Sequence, residues 1–183
     1  CVAALAATKT RRAVKYRMRR REDMTRTGKR HDVESSVELG IDESGMIQAT
    51  SIQLSARCGY STDLSEGIVD RAMFHADNAY SLGDACIEGE ILKTNTVSHT
   101  AFRGFGGPQG MLAIESAMET AARQFGEDPL LFRLNNLYRP GRQVTPYGQD
   151  VGAHPLNELM ESLRVTARYD ARRQAIAEHN ERR

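Results

Sequence analysis

The apolar residues of this chain change their spacing part-way along it, and that change limits the folds open to it. Val14, Tyr16 and Met18 alternate with Lys15, Arg17 and Arg19, and Val33, Val37, Leu39 and Ile41 also recur at even steps. A step of two marks a strand with one covered face. Asp42-Glu43-Ser44-Gly45 supplies turn residues before a further apolar series at Ile47, Ala49, Ile52 and Leu54. The pattern predicts a strand over 13–20 beside a hairpin over 31–57. Beyond Tyr60 the steps become three and four, through Ile68, Ala72 and His75 with Val69, Met73 and Ala76. That spacing predicts a helix over 66–79, and 86–93 reads as another strand.

Three helices are expected to close the chain. The first starts at Pro108 and ends near Phe125, with Gly126 as its stop. Asp128 is placed to cap the second, with Pro129 in its first turn and Tyr138 near its end. After a Pro/Gly loop over 139–153, the third starts near Pro155 and is very polar by Arg172. The class is α+β, with antiparallel strands in the N-terminal half followed by a loop and three helices. The expected organisation is one partial domain over 1–183: strands over 1–60, a helix, strand and loop over 61–107, and helices over 108–183.

Charge argues against nucleic acid as a partner. Lys and Arg total 25 against 24 Asp and Glu, a net charge of +1, whereas phosphate-neutralising proteins carry a clear basic excess. The short runs Arg11-Arg12 and Arg19-Arg20-Arg21 fit a solvated face or an interface with other polypeptide. The most apolar run, Val2 to Ala7, is far below the ~20 residues of a spanning helix and lacks the basic leader of a signal peptide. Cys1, Cys58 and Cys86 are scattered with no C-x-x-C pair, so neither a zinc site nor an iron–sulfur cluster is expected within the segment. Such cysteine usage fits a reducing compartment. The Ala-rich start reads as the last turns of a helix, and with no initiating Met the chain is expected to be cut from a longer polypeptide.

Chemistry concentrates in Thr100-Ala101-Phe102-Arg103-Gly104-Phe105-Gly106-Gly107-Pro108-Gln109-Gly110. Three glycines within four residues permit positive φ and close backbone approach. The segment then meets a helix N-terminus, whose free N–H groups and dipole favour an anion. Arg103 adds a permanent cation, and Phe102 and Phe105 offer flat faces to a planar ring. Gln109 occupies the third glycine position of a dinucleotide fingerprint, and no phosphate-binding G-x-x-x-x-G-K-[ST] run exists. On chemistry alone, two readings stand level: a site for a planar anion, or a turn into a helix whose aromatic residues fill core.

Thr94-Asn95-Thr96-Val97-Ser98-His99-Thr100 followed by AFRGFGGPQGM resembles the signature loop of the xanthine dehydrogenase and aldehyde oxidase family of molybdenum hydroxylases. CVAALAATKT (1–10), Arg21-Glu22-Asp23-Met24, Thr27-Gly28-Lys29-Arg30-His31 and RAMFHADN (71–78) resemble the same family in the same order. The similarity covers most of residues 1–140 and fades over the final helix. It implies hydroxylation of an electron-poor carbon at a molybdenum–molybdopterin centre, with water supplying the oxygen. Electrons are then expected to leave through iron–sulfur clusters to FAD on other domains or subunits. Ala101, Phe102, Arg103 and Gly104 match the loop that lies against the molybdopterin, Arg103 beside the metal ligands. Phe105 matches the aromatic residue that packs on the substrate. Arg71, 32 positions before Arg103, matches the arginine that reaches a purine's exocyclic oxygen and stabilises charge developing on the ring. Read without the resemblance, Arg71 is an ordinary surface residue of a helix.

The resemblance implies a cytoplasmic, oligomeric enzyme that oxidises hypoxanthine and xanthine to urate. Its aldehyde-oxidising branch usually lacks a cation at the position of Arg71, so that branch is the alternative, together with a truncated, non-catalytic piece. The remaining active-site groups have no counterpart: a glutamine and a glutamate are expected before Cys1, and a second aromatic residue and the general base after Arg183. Glu115 and Glu119 are expected to be structural or solvated, and the chain alone to be inactive.

Overall fold

The computed structural model describes residues 1–182 and has ten elements. They are α1 (Val2–Thr10), α2 (Arg20–Arg26), β1 (Val33–Ile41), β2 (Ile47–Gly59), α3 (Ser65–Phe74), β3 (Asp84–Lys93), α4 (Gly107–Phe125), α5 (Pro129–Asn136), α6 (Leu156–Thr166) and α7 (Tyr169–Glu181). The mixture is α+β. Among the described residues no helix is long and apolar enough to cross a membrane.

The predicted hairpin forms: β1 and β2 pair antiparallel from Val33 opposite Ala56 to Ile41 opposite Ile47. Asp42 shapes the turn, its Oδ1 accepting the Ser44 N–H at 2.9 Å, the Ser44 hydroxyl at 2.6 Å and the Met46 N–H at 3.1 Å. The Ser44 hydroxyl, then the Met46 amide, hold this carboxyl down at about 2. Period-two burial follows along β2: Ile52, Leu54, Ala56 and Cys58 are buried, while Gln53 and Arg57 face water.

β3 lies on the other side of β2 and runs parallel to it, with Ile52 opposite Ile87. The expectation of antiparallel strands throughout is therefore corrected: a parallel neighbour needs a crossover, and α3 lies within it. α3 ends at Phe74 rather than near 79, because Asp77 and Asn78 turn the chain, Asn78 at φ 47° and Asp77 with its carbonyl accepting the Tyr80 N–H at 2.9 Å.

The strand expected over 13–20 is absent. Residues 13–19 carry no regular structure and α2 begins at Arg20. Among the described residues no neighbouring strand gives this segment a ladder, and Tyr16 is 53% exposed. The single final helix is also corrected to two, since Arg168 adopts a left-handed φ of 49° and breaks it. Four helices, not three, therefore follow the loop.

One core joins sheet and helices. Ile52, Leu54, Ala72, Ile114, Met118 and Phe132 belong to a single buried cluster. Asn136 ties α5 to the hairpin, its Oδ1 accepting the Ile47 N–H at 2.8 Å and its Nδ2 donating to the Gly45 carbonyl at 2.9 Å. Asp128 caps α5 as expected, accepting the Leu130 N–H at 2.9 Å.

Candidate functional site

α3 and α4 meet so closely that the backbone of one touches the other. A Cβ on Gly106 would lie 1.9 Å from the Ile68 carbonyl oxygen, and one on Gly110 would lie 2.1 Å from that of Ala72. Only glycine fits either place. This contact holds the segment entering α4 against α3. Gly104, Phe105 and Gly106 take φ values of 101°, 46° and 93° in succession. Phe105 is the costly member, since a residue with a side chain rarely occupies that region, and such outliers cluster at ligand sites.

One face of α3 and the turn after it meets the loop at two points. A Cβ on Gly67 would lie 3.4 Å from Phe105 Cε1, and one on Gly107 would lie 3.0 Å from His75 Cδ2. Gly67, Arg71 and His75 are spaced four apart, so they share one face along α3 and the turn that follows it. Arg71 stands between the two points at which that face meets the loop. Its guanidinium is exposed, and its Nε donates to His75 Nε2 at 3.2 Å. The spacing of four between Arg71 and His75 is the sequence signal for this pairing.

Ala101, Phe102 and Arg103 are exposed, with Phe102 at 58%. Among the described residues the backbone N–H groups of Ala101, Phe102, Arg103 and Gly104 have no hydrogen-bond partner. The Phe105 N–H donates to the Phe102 carbonyl at 2.8 Å and the Gly107 N–H to that of Gly104 at 3.0 Å. A row of free donors beside aromatic faces, at the start of a 19-residue helix, fits a flat, anionic ligand rich in acceptors.

Gln109 of the loop motif, with Arg30 and His31 from outside it, forms the loop's inner support. Gln109 Nε2 donates to the His31 carbonyl at 3.1 Å, and His31 Nε2 shares a 2.7 Å hydrogen bond with the Ser65 hydroxyl. Arg30 Nη2 donates to the Arg103 carbonyl at 2.7 Å. Arg30, His31, Phe102, Phe105 and Gln109 line one small cavity beneath the loop. Arg30 Nη1, His31 Nδ1 and Gln109 Oε1 are buried there without a partner. Burial, and then the neighbouring His99, hold the His31 imidazole below its usual pKa.

Glu115 and Glu119 are structural. Glu115 accepts from Asn78 at 2.9 Å, the Tyr80 hydroxyl at 2.6 Å and Arg133 Nε at 3.0 Å. Arg133 also reaches Glu119 at 3.2 Å. Burial, then the bond to Glu115, push the Tyr80 phenol upward.

Residues 1–137, which include Arg30, Arg71 and the whole loop, match the molybdopterin cofactor-binding domain. Nicotinate hydroxylase of Emericella nidulans is 39% identical over 183 residues, covering 98% of this chain. Xanthine dehydrogenase/oxidase of Gallus gallus is 39% identical over 179 residues, again 98% of the chain. The chain spans 13% of the length of each of these two relatives. Aldehyde oxidoreductase from Desulfovibrio gigas superposes with a TM-score of 0.77 at 31% identity, over 90% of this chain and 18% of that one. Quinoline 2-oxidoreductase from Pseudomonas putida 86 shares the fold, with a TM-score of 0.80 at 23% identity over 99% of this chain and 24% of that one. With the family match extending through the loop and the fold matching as well, the chain belongs to the molybdopterin cofactor-binding domain family of the molybdenum hydroxylases.

Proposed function

We propose that this chain supplies one wall of the active site of a xanthine dehydrogenase, which oxidises hypoxanthine and xanthine to urate. The observation that carries the reading is the shared face of Gly67, Arg71 and His75, which meets the loop at Phe105 and Gly107. Both the aromatic ring and the cation that the reading needs belong to this junction of α3 with the loop. The Phe105 ring packs on the purine, and Arg71 donates to an exocyclic oxygen and stabilises negative charge as it grows on the ring. The free N–H groups of Ala101, Phe102, Arg103 and Gly104 would hold the molybdopterin, with the Arg103 cation answering its negative charge. When bound, the molybdenum–pterin group supplies the two-electron oxidation. On this reading, iron–sulfur clusters and FAD on other domains or subunits of a cytoplasmic oligomer would supply the route for the electrons. Glu115 and Glu119 are engaged by Tyr80 and Arg133 and do not serve as the general base, which on this reading lies outside this chain. The isolated chain is therefore inactive.

Arg71→Met in the full-length protein tests the reading. It should lower kcat/KM for xanthine by roughly 10²–10³, the usual cost of losing one preorganised donor, while changing turnover of a neutral aromatic aldehyde less than about tenfold. Xanthine turnover within a few-fold of wild type would sink the assignment. The nicotinate hydroxylase relative favours a second reading, since a ring carboxylate also suits Arg71. Faster oxidation of nicotinate than of xanthine by the unaltered protein would select it.

A further inference from the structure

Thr27 to His31 resembles the family, yet the site as described gives most of this segment no task. In the structure it runs beside the candidate loop. The Lys29 carbonyl accepts the Thr100 N–H at 3.1 Å, and a Cβ on Gly28 would lie 2.5 Å from the Ser98 carbonyl oxygen. From this rail Arg30 reaches a partner 73 residues away. Its Nη2 donates to the Arg103 carbonyl at 2.7 Å, and its guanidinium carbon lies 4.5 Å from the centre of the Phe102 ring. Its Nη1 is buried in the small cavity beneath the loop.

We infer that Arg30 is the positioning residue that sets the direction of the loop's free N–H groups, with the loop taken as the cofactor-facing wall proposed above. Among the described residues no peptide bond is cis, so the Arg103 carbonyl and the Gly104 N–H point in opposite directions within their shared peptide plane. Holding that carbonyl against Arg30 turns the Gly104 N–H away from the protein. The same guanidinium, lying over Phe102, fixes the residue before Arg103. The side chain of Arg103 makes neither contact, so the two arginines divide the work: Arg30 shapes the wall and Arg103 faces outward from it. A lysine cannot replace Arg30, because one ammonium does not supply both the hydrogen-bonding fork and the flat stacking surface.

Hydrogen exchange in the full-length protein tests the brace. The Phe105 and Gly107 amides report on the loop, because each donates to a carbonyl within it. Arg30→Ala and Arg30→Lys should both speed exchange at these two amides by roughly 10- to 30-fold, as expected for losing one charge-assisted hydrogen bond. Amides inside α4, from Ala113 to Ala122, should stay protected. Wild-type protection of Phe105 and Gly107 in either variant would overturn the inference. If Arg30→Ala also exposes α4, the lysine variant decides. Molybdopterin content of the same samples is a separate readout. Faster loop exchange with unchanged content leaves the brace standing and counts instead against the loop as a cofactor wall.

Discussion

The junction of α3, the loop and α4 and the hairpin of α6 and α7 are built on opposite principles. At the junction, backbone meets backbone, and carbonyls of Ile68 and Ala72 occupy the space where Cβ atoms of Gly106 and Gly110 would stand. The α6–α7 hairpin has no buried residue, and Leu163 and Val165 are 62% and 74% exposed. α7 is held by side chains at Asp128, which accepts from the Tyr169 hydroxyl at 2.9 Å and Arg173 Nε at 3.0 Å. The family match covers the first region and stops at residue 137, before the second. Close backbone contact tolerates almost no change, whereas polar side-chain anchoring tolerates a good deal.

Gly106→Ala should break the junction most severely. A left-handed φ and a clash with a carbonyl combine to cost roughly 3–5 kcal/mol, read as a fall in the denaturation midpoint. Gly126→Ala at the other end of α4 sharpens the contrast. That residue also has positive φ, 82°, but nothing lies within 4 Å of its absent Cβ, so about 1 kcal/mol is expected.

The next effect is a pH dependence, and it too belongs to the junction. His31 titrates below its ordinary 6.5 in the folded chain, because of burial and then His99. Between 6.5 and that lower value the unfolded chain binds a proton that the folded chain does not. Stability is thus complete above 6.5 and is lost as pH falls toward the folded value, by at most about 1.4 kcal/mol per pH unit. Denaturation midpoints between pH 7 and 5 should show this slope, and His31→Gln should flatten it. The smallest effect lies at the hairpin. Arg173→Ala removes a half-exposed ion pair and should change stability by about 0.5 kcal/mol or less. A larger loss would mean that α7 is held more firmly than its exposure implies.

The same contrast explains what could be read from the sequence. The β1–β2 hairpin was legible because its alternation and its turn at Asp42 lie close together in the chain and each strand is the other's neighbour. Residues 13–19 carry equally clean alternation, but alternation specifies a face and not a neighbour, and no described strand lies alongside. The parallel placing of β3 and the break at Arg168 depend on tertiary contacts that local spacing does not encode. In the site, the glycines marked the loop and the resemblance marked Arg71 and Phe105. Arg30 stayed hidden, because its partners lie more than 70 residues away and a basic residue near Lys29 reads as solvated surface.

Ile68 and Ala72, whose carbonyls press on Gly106 and Gly110, bracket Arg71 in the same helix. Arg71 and Phe105 therefore sit on parts that move as one body, and neither can shift without carrying the other. Their separation is a property of the scaffold rather than of the two side chains. On the proposed function, substitution at 71 or 105 would change which ring is held or which charge is answered, while the backbone that carries both positions keeps its place.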